Sequence, residues 1–267
     1  FPTRRSSDLL LFFCGLFCSQ LLSAQTACII EEKNGKSLVQ EGDCYKRYSP
    51  CSTFKIAISL MGFDSGVLVG EKCPNWDYKN EYVDWLGKWK QPHDPIMWFA
   101  NSCVWYSQKI TKQIGIQHFI EYVKKLEYGN GDISGDKGQN NGLTKSWLSS
   151  SLAISPIEQV EFMKKLVSGE LAVSKKAQEM TKNIMFVEDI QEGWKLYGKT
   201  GCGFQLNDDS SKTDRQIGWF VGFASKENNI ITFAYLIEDD DKQDRYASLR
   251  AKLALKDKLT KFLTIID

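Results

Sequence analysis

A chain of 267 residues is long enough for one large domain or for two modules that share a cleft. Its 34 lysines and arginines against 33 aspartates and glutamates leave a formal net charge of +1, which excludes a surface built to gather phosphates. No nucleic-acid partner is expected. Two histidines, His93 and His118, and no CxxC pair give no zinc site, so no metal is expected either. No repeat period or low-complexity tract is present.

The first nine residues, "FPTRRSSDL", look like the in-frame translation of a sequencing-library adapter and carry no fold information. Residues 9–24, "LLLFFCGLFCSQLLSA", form a short apolar block closing on Ser23-Ala24, the pattern of a secretory signal peptide cleaved after Ala24. Nothing later is long and apolar enough to span a bilayer. The mature chain is therefore expected in the periplasm, free of the membrane, as a monomer or homodimer. Cys14 and Cys18 would leave with the signal. Cys28, Cys44, Cys51, Cys73, Cys103 and Cys202 remain in an oxidising compartment, and sequence cannot choose among their pairings.

Past the signal, "ACIIEEKNGKSLVQEGD" predicts two short strands around an Asn34-Gly35 turn. "FKIAISLMGF" is a helix apolar on all sides. "VWYSQKITKQIGIQHFIEYVKKL" carries apolar positions at helical spacing throughout. His118 falls there as an ordinary helix residue, and His93 in "QPHDP" reads as a turn residue. "ISPIEQVEFMKKLVSG" opens with a strong helix start: Ser155 as N-cap, Pro156 at N1, Glu158 at N3. Locally basic stretches such as "SKKAQEMTK" are solvated helix faces. "WKLYGKTGCGFQL", "QIGWFVGFAS" and "NIITFAYLIED" then read as strands, and "ASLRAKLALKDKLTKFLTII" as a closing amphipathic helix. The order predicts an α+β protein, an antiparallel β-sheet flanked by helices with a mostly helical inserted subdomain. The sheet subdomain takes about residues 25–52 and 187–267, the helical one about 53–186, with the cleft at their boundary.

The chemistry starts at "SPCSTFK". Ser52 and Lys55 stand at i and i+3, on one helical face. Ser52 at the helix start sits near orphan backbone N–H groups that stabilise developing negative charge. Lys55, among apolar neighbours, loses the hydration of its ammonium, so its pKa falls and the neutral amine becomes available as a base or as a nucleophile toward CO2. Serine with a neutral amine is an alternative to Ser-His-Asp. Further along, "SCV" at Ser102, Cys103 and Val104 follows the turn-like "FAN". "YGN" at Tyr128, Gly129 and Asn130 opens a Gly-rich loop. "KTG" at Lys199, Thr200 and Gly201 lies in a strand. SxxK and KTG travel with an S-D-N triplet in the active-site serine penicillin-recognising enzymes; here the third residue of that triplet is Val104.

With "STFK", "SCV", "YGN", "SWLSSSLAIS" and "KTGCG" in this order, the chain resembles the class D, oxacillinase-type serine β-lactamases over residues 28–265. The resemblance implies a β-lactam as the small-molecule substrate and Ser52 as the acylated nucleophile. It implies no separate cofactor, only a Lys55 carboxylated by CO2 and acting as the general base. Val104 would wall the carbamate, Trp147 would donate its indole N–H to it, and Leu148 would be its apolar neighbour. Ser102 would relay a proton to the leaving nitrogen. Lys199, Thr200 and Gly201, joined by Arg250, would bind the substrate carboxylate, and the backbone N–H groups of Ser52 and Cys202 would form the oxyanion hole. Substrate range would be set near Trp98 and after Cys202. Two further readings share the motifs: a cell-wall transpeptidase, against which Val104 and Trp147 speak, and the sensor domain of a β-lactam receptor, which would acylate and barely turn over.

Overall fold

The computed structural model describes residues 24–263 except 33, 208 and 210, so the signal-like segment before Ala24 lies outside the described residues. Strands β1 (Ala24–Glu32) and β2 (Ser37–Glu41) form the expected hairpin, turning at Gly35 with φ +89°. Seven helices follow: α1 (Lys55–Asp64), α2 (Pro95–Asn101), α3 (Val104–Ile114), α4 (Ile116–Lys125), α5 (Gly142–Lys145), α6 (Pro156–Ser168) and α7 (Lys175–Ile184). Strands β3 (Phe186–Asp189), β4 (Lys195–Leu206), β5 (Lys212–Lys226) and β6 (Asn229–Asp239) come next, then α8 (Ala247–Leu263). The strands make one antiparallel sheet in the order β2-β1-β6-β5-β4-β3, in which the two ends of the chain meet as β1 pairs with β6.

Both faces of the sheet are covered, which is why β5 is buried without interruption from Gln216 to Ala224. Side chains alternate across the pleat. Trp219, Val221 and Phe223 face the larger core shared with the helices, while Phe220 and Ala224 face a second core under α8. α8 contributes Ala247, Ala251, Leu255, Leu259 and Leu263 to that second core, one residue per turn. A Cβ at Gly218 would stand 2.2 Å from the Ala247 backbone, so a glycine in β5 is what lets the start of α8 sit on the sheet.

Two readings of the sequence change here. The long periodic run from Val104 to Leu126 is two helices: Gly115, at φ +79° and ψ 159°, ends α3 and starts α4, because glycine alone bears that backbone at little cost. His93 is not a surface turn residue. It is wholly buried, with its ring edge-on to Trp105, Nδ1 2.9 Å from the Gln91 carbonyl and Nε2 3.3 Å from Asn101 Nδ2. The Ser155 helix start forms as expected. Ser155 and Glu158 make a reciprocal capping box, and Arg47 pairs with Glu158.

Candidate active site

From Pro50 to Phe63 every residue is buried except Ser52. Ser52 lies in a 3-10 turn, Cys51–Phe54, that runs straight into α1. Cys51 takes a left-handed backbone, φ +51°, which costs a non-glycine residue about 1–3 kcal/mol and is held by the surrounding packing. Lys55 is completely buried, with Nζ 3.3 Å from Ser52 Oγ. Burial lowers its pKa from 10.5 to about 8, so that about a tenth of the amine is neutral at pH 7.

Ser102 arrives from the other side. Asp94 caps α2 by accepting the Met97 N–H at 2.7 Å, and α2 ends at Ser102 in a left-handed conformation, φ +56°. Lys199 on β4 donates its ammonium to Ser102 Oγ, and its Nζ also reaches Thr200 O at 2.9 Å and Thr200 Oγ1 at 3.4 Å. Lys199 is nearly buried. Its pKa is held well below the ordinary value by desolvation first, then by the charges of Lys55 and Lys88.

Gly201 and Gly203 set the distance between β4 and the serine turn. A Cβ at Gly201 would lie 2.8 Å from Pro50 O and 3.1 Å from Thr53 Cγ2, and one at Gly203 would lie 2.5 Å from Cys51 Sγ. Only a strand without side chains at those two positions can pass so close to the turn.

The third wall is the segment after α5. Trp147 is wholly buried, 5.6 Å from the Phe54 ring, and its indole Nε1 is a buried donor with no hydrogen-bond partner. Such a donor is costly unless something accepts from it. Leu148 is half-buried against the main core, and Val104 is buried at the start of α3. Ser49 fixes this segment, since its hydroxyl donates to Trp147 O at 3.0 Å and accepts the Ser149 N–H at 3.0 Å. The Tyr128-Gly129-Asn130 turn supports it from behind. Gly129 lies tight against Ala153 O, and Asn130 bonds Ser151 O and Ala153 N–H at 2.9 and 3.0 Å. That turn shapes the loop and reaches no reacting group.

The structure thus brings Ser52, Lys55, Ser102, Lys199, Thr200 and Gly201 together. Arg250 is placed differently. Its guanidinium is committed to Asp239, a wholly buried carboxylate at the end of β6, and its Nε donates to Arg245 O at 3.2 Å. Cys202 turns its side chain toward α8, where its thiol donates to Gln216 Oε1 at 3.3 Å; the same oxygen accepts the Ala247 N–H at 3.0 Å. Trp98 itself is wholly buried, stacked on Tyr106 and bonded to Ser107. The exposed tryptophan of that region is Trp85.

Ser49, Gln216 and Asp239 were missed by the motif reading. Gln216 at the head of an apolar strand and Asp239 at the tail of another were the available signals: polar side chains where burial is expected. The six cysteines among the described residues are all free. Burial pushes the Cys51 and Cys103 thiols up to about 12, so neither neighbour of a site serine is a thiolate near neutrality.

Comparison with known proteins agrees with this geometry. Residues 25–259 match the penicillin binding protein transpeptidase domain. The chain is 44% identical over 225 residues to the β-lactamase OXA-9 of Klebsiella pneumoniae, covering 81% of this chain and 80% of that one. It is 38% identical over 236 residues to the β-lactamase OXA-1 of Escherichia coli, covering 88% and 80%. The crystal structure of the OXA-427 class D β-lactamase superposes with a TM-score of 0.86 at 42% identity, covering 91% of this chain and all of that one. With the transpeptidase domain matched over residues 25–259, and with identities of 38–44% to β-lactamases and to a class D structure across four-fifths or more of its length, the chain belongs to the class D serine β-lactamases.

Proposed function

We propose that this protein hydrolyses the β-lactam amide of penicillin-type antibiotics through an acyl-enzyme on Ser52. Ser52 Oγ attacks the lactam carbonyl carbon and gives up its proton toward Lys55. The C–N bond breaks, and the ring nitrogen takes a proton relayed by Ser102, which Lys199 holds in place. Water then attacks the ester, and its proton passes back to Ser52 Oγ as the opened product leaves. Backbone N–H groups of Ser52 and Cys202 carry the negative charge of the tetrahedral intermediates. Lys199, Thr200 and the approach granted by Gly201 receive the substrate carboxylate. Arg250, matched to that site by the sequence resemblance, is held on Asp239 and would have to serve it from there.

Carboxylated by CO2, Lys55 supplies the general base for both halves of the reaction. The observation that carries this reading is the orphaned indole N–H of Trp147, on a ring packed against Phe54, the residue before Lys55. A carbamate oxygen is an acceptor of the kind that donor lacks, and Val104 and Leu148 supply apolar surroundings of the kind that keep the Lys55 amine neutral and open to CO2. Export to the periplasm fits the predicted signal segment. Among the described residues no helix is long and apolar enough to cross a membrane.

The test is turnover of a chromogenic β-lactam with and without added bicarbonate. Sustained turnover that rises with bicarbonate supports both the hydrolase and the carboxylated lysine. One stoichiometric burst, indifferent to bicarbonate, would assign the chain to a trapping sensor instead. Trp147→Phe keeps the ring and loses the donor; it should slow deacylation and need more bicarbonate for full rate. Ser52→Ala should give no acyl-enzyme by mass spectrometry.

A further inference from the structure

Trp85 is the largest exposed aromatic surface beside the cleft, 57% accessible, and three separate segments converge on it. Its own segment is pinned to the Ser102 turn: Trp85 packs on Trp89, whose indole donates to Asn101 O at 2.9 Å, while Trp105 donates to Trp89 O at 2.9 Å. Lys88, in the same segment, is near enough to Lys199 for its charge to be felt there. The second segment is α5, two residues before Trp147, whose Lys145 Nζ lies 5.9 Å from the Trp85 ring centre. The third is the β4–β5 hairpin beyond the KTG residues, whose Lys212 Nζ lies 6.0 Å from the same centre. Phe204 N–H donates to Ser149 Oγ at 3.2 Å, tying that hairpin to the Trp147 segment.

Two ammonium groups over one exposed ring make a compact positive spot with an aromatic floor. Two lysines against one nearby acid, Asp136, leave the spot net positive. Asp136 is near enough to both lysines for its charge to be felt, and its carboxylate accepts from Asn141 Nδ2 at 2.9 Å. Asp84 is paired with Lys90 at 2.8 Å, and Asp209 accepts the Ser211 N–H at 2.8 Å. We propose that Trp85, Lys145 and Lys212 form a subsite at the mouth of the cleft for β-lactams whose acyl substituent carries an aromatic ring and a second anionic group. The ring of the substituent lies on Trp85 and its anion between the two ammonium groups, with the lactam carboxylate left to Lys199 and Thr200. The assignment rests on the hydrolase reading and names the substrate class it favours.

Benzylpenicillin and its α-carboxy derivative differ by one carboxylate on the side chain, and so isolate the proposed interaction. Lys145→Met and Lys212→Met should each lower kcat/KM for the carboxylated substrate about fivefold, mainly through KM, as expected for a partly exposed ion pair. Benzylpenicillin should change less than about twofold, and the difference between the substrates should shrink as salt is added. Trp85→Ala should weaken both substrates. Equal effects of the lysine variants on the two penicillins, or none on either, would overturn the subsite. A wild-type protein that fails to turn over benzylpenicillin would instead remove the hydrolase reading, and the subsite with it.

Discussion

Lys55 shows how one side chain can be made reactive by where it is placed. Its amine would titrate at 10.5 in the unfolded chain and titrates at about 8 in the fold, so between those values the unfolded state binds more protons. Stability therefore rises with pH from about 8 to about 10.5, and below about 8 the full burial cost is present, about 3 kcal/mol. Lys55→Met, similar in length and without charge, should raise stability near pH 7 by about 2–3 kcal/mol and abolish turnover. Urea unfolding in CO2-free buffer across that pH range should show the slope in the wild type and not in the variant. With bicarbonate present, hydrolysis by the wild type should fall as pH drops below about 8, because a protonated amine cannot take up CO2, and should recover in part when more bicarbonate is added.

At the scale of the element, the site is a junction where β4, the serine turn and the Trp147 segment touch, and each contact is set by a small residue or a positive φ. Cys51, Ser102 and Ser149, one from each helical-side segment of the site, all adopt left-handed backbone, φ +51°, +56° and +51°. Gly201 is the strand-side position whose Cβ would meet the backbone of the serine turn. Gly201→Ala puts a methyl group against Pro50 O and Thr53, so β4 must retreat from Ser52. We expect kcat/KM to fall by at least tenfold, since small misplacements of reacting groups are costly, for a stability loss of about 1–3 kcal/mol. Comparing steady-state rates with thermal unfolding separates the two effects. The capping box of α6 is a purely structural counterpart: Ser155→Ala should cost about 1 kcal/mol in thermal unfolding and leave kcat alone.

Across the whole molecule, a sheet with two covered faces divides the labour. One face holds the core that backs the catalytic junction, and the other is closed by α8. Leu255 lies wholly buried in that second core, away from Ser52. Leu255→Ala should destabilise by about 2–5 kcal/mol while the folded protein keeps its kcat, measured well below the new melting temperature. α8 is also joined to the rest by the Arg250–Asp239 pair, and Gln205 Nε2 donates to Asp239 O at 2.6 Å, so β4, β6 and α8 meet at one buried acid.

Local pattern determined a good deal of this. The Asn34-Gly35 hairpin, the Ser155 helix start and the three late strands were legible because turn chemistry, capping and a two-residue period act over a few residues. That Ser52, Lys55 and Lys199 would meet was legible because a serine and lysine one turn apart, followed by KTG, is a dense chemical signal. Other features were decided only when the chain closed on itself. The break at Gly115 depended on where α4 had to pack, since its sequence continues the helical period. The burial of His93 and Trp98 depended on Trp105 and Tyr106 meeting them from α3. The partner of Arg250 appears only when β6 brings Asp239 beneath it. Trp85 acquires its two lysines from segments 60 and 127 residues away. Helix starts, turns and strand periods arise between near neighbours, and the sequence carries them openly. Burial, pairing and the meeting of distant charges are relations between segments, and those exist only once the tertiary structure has chosen which segments touch.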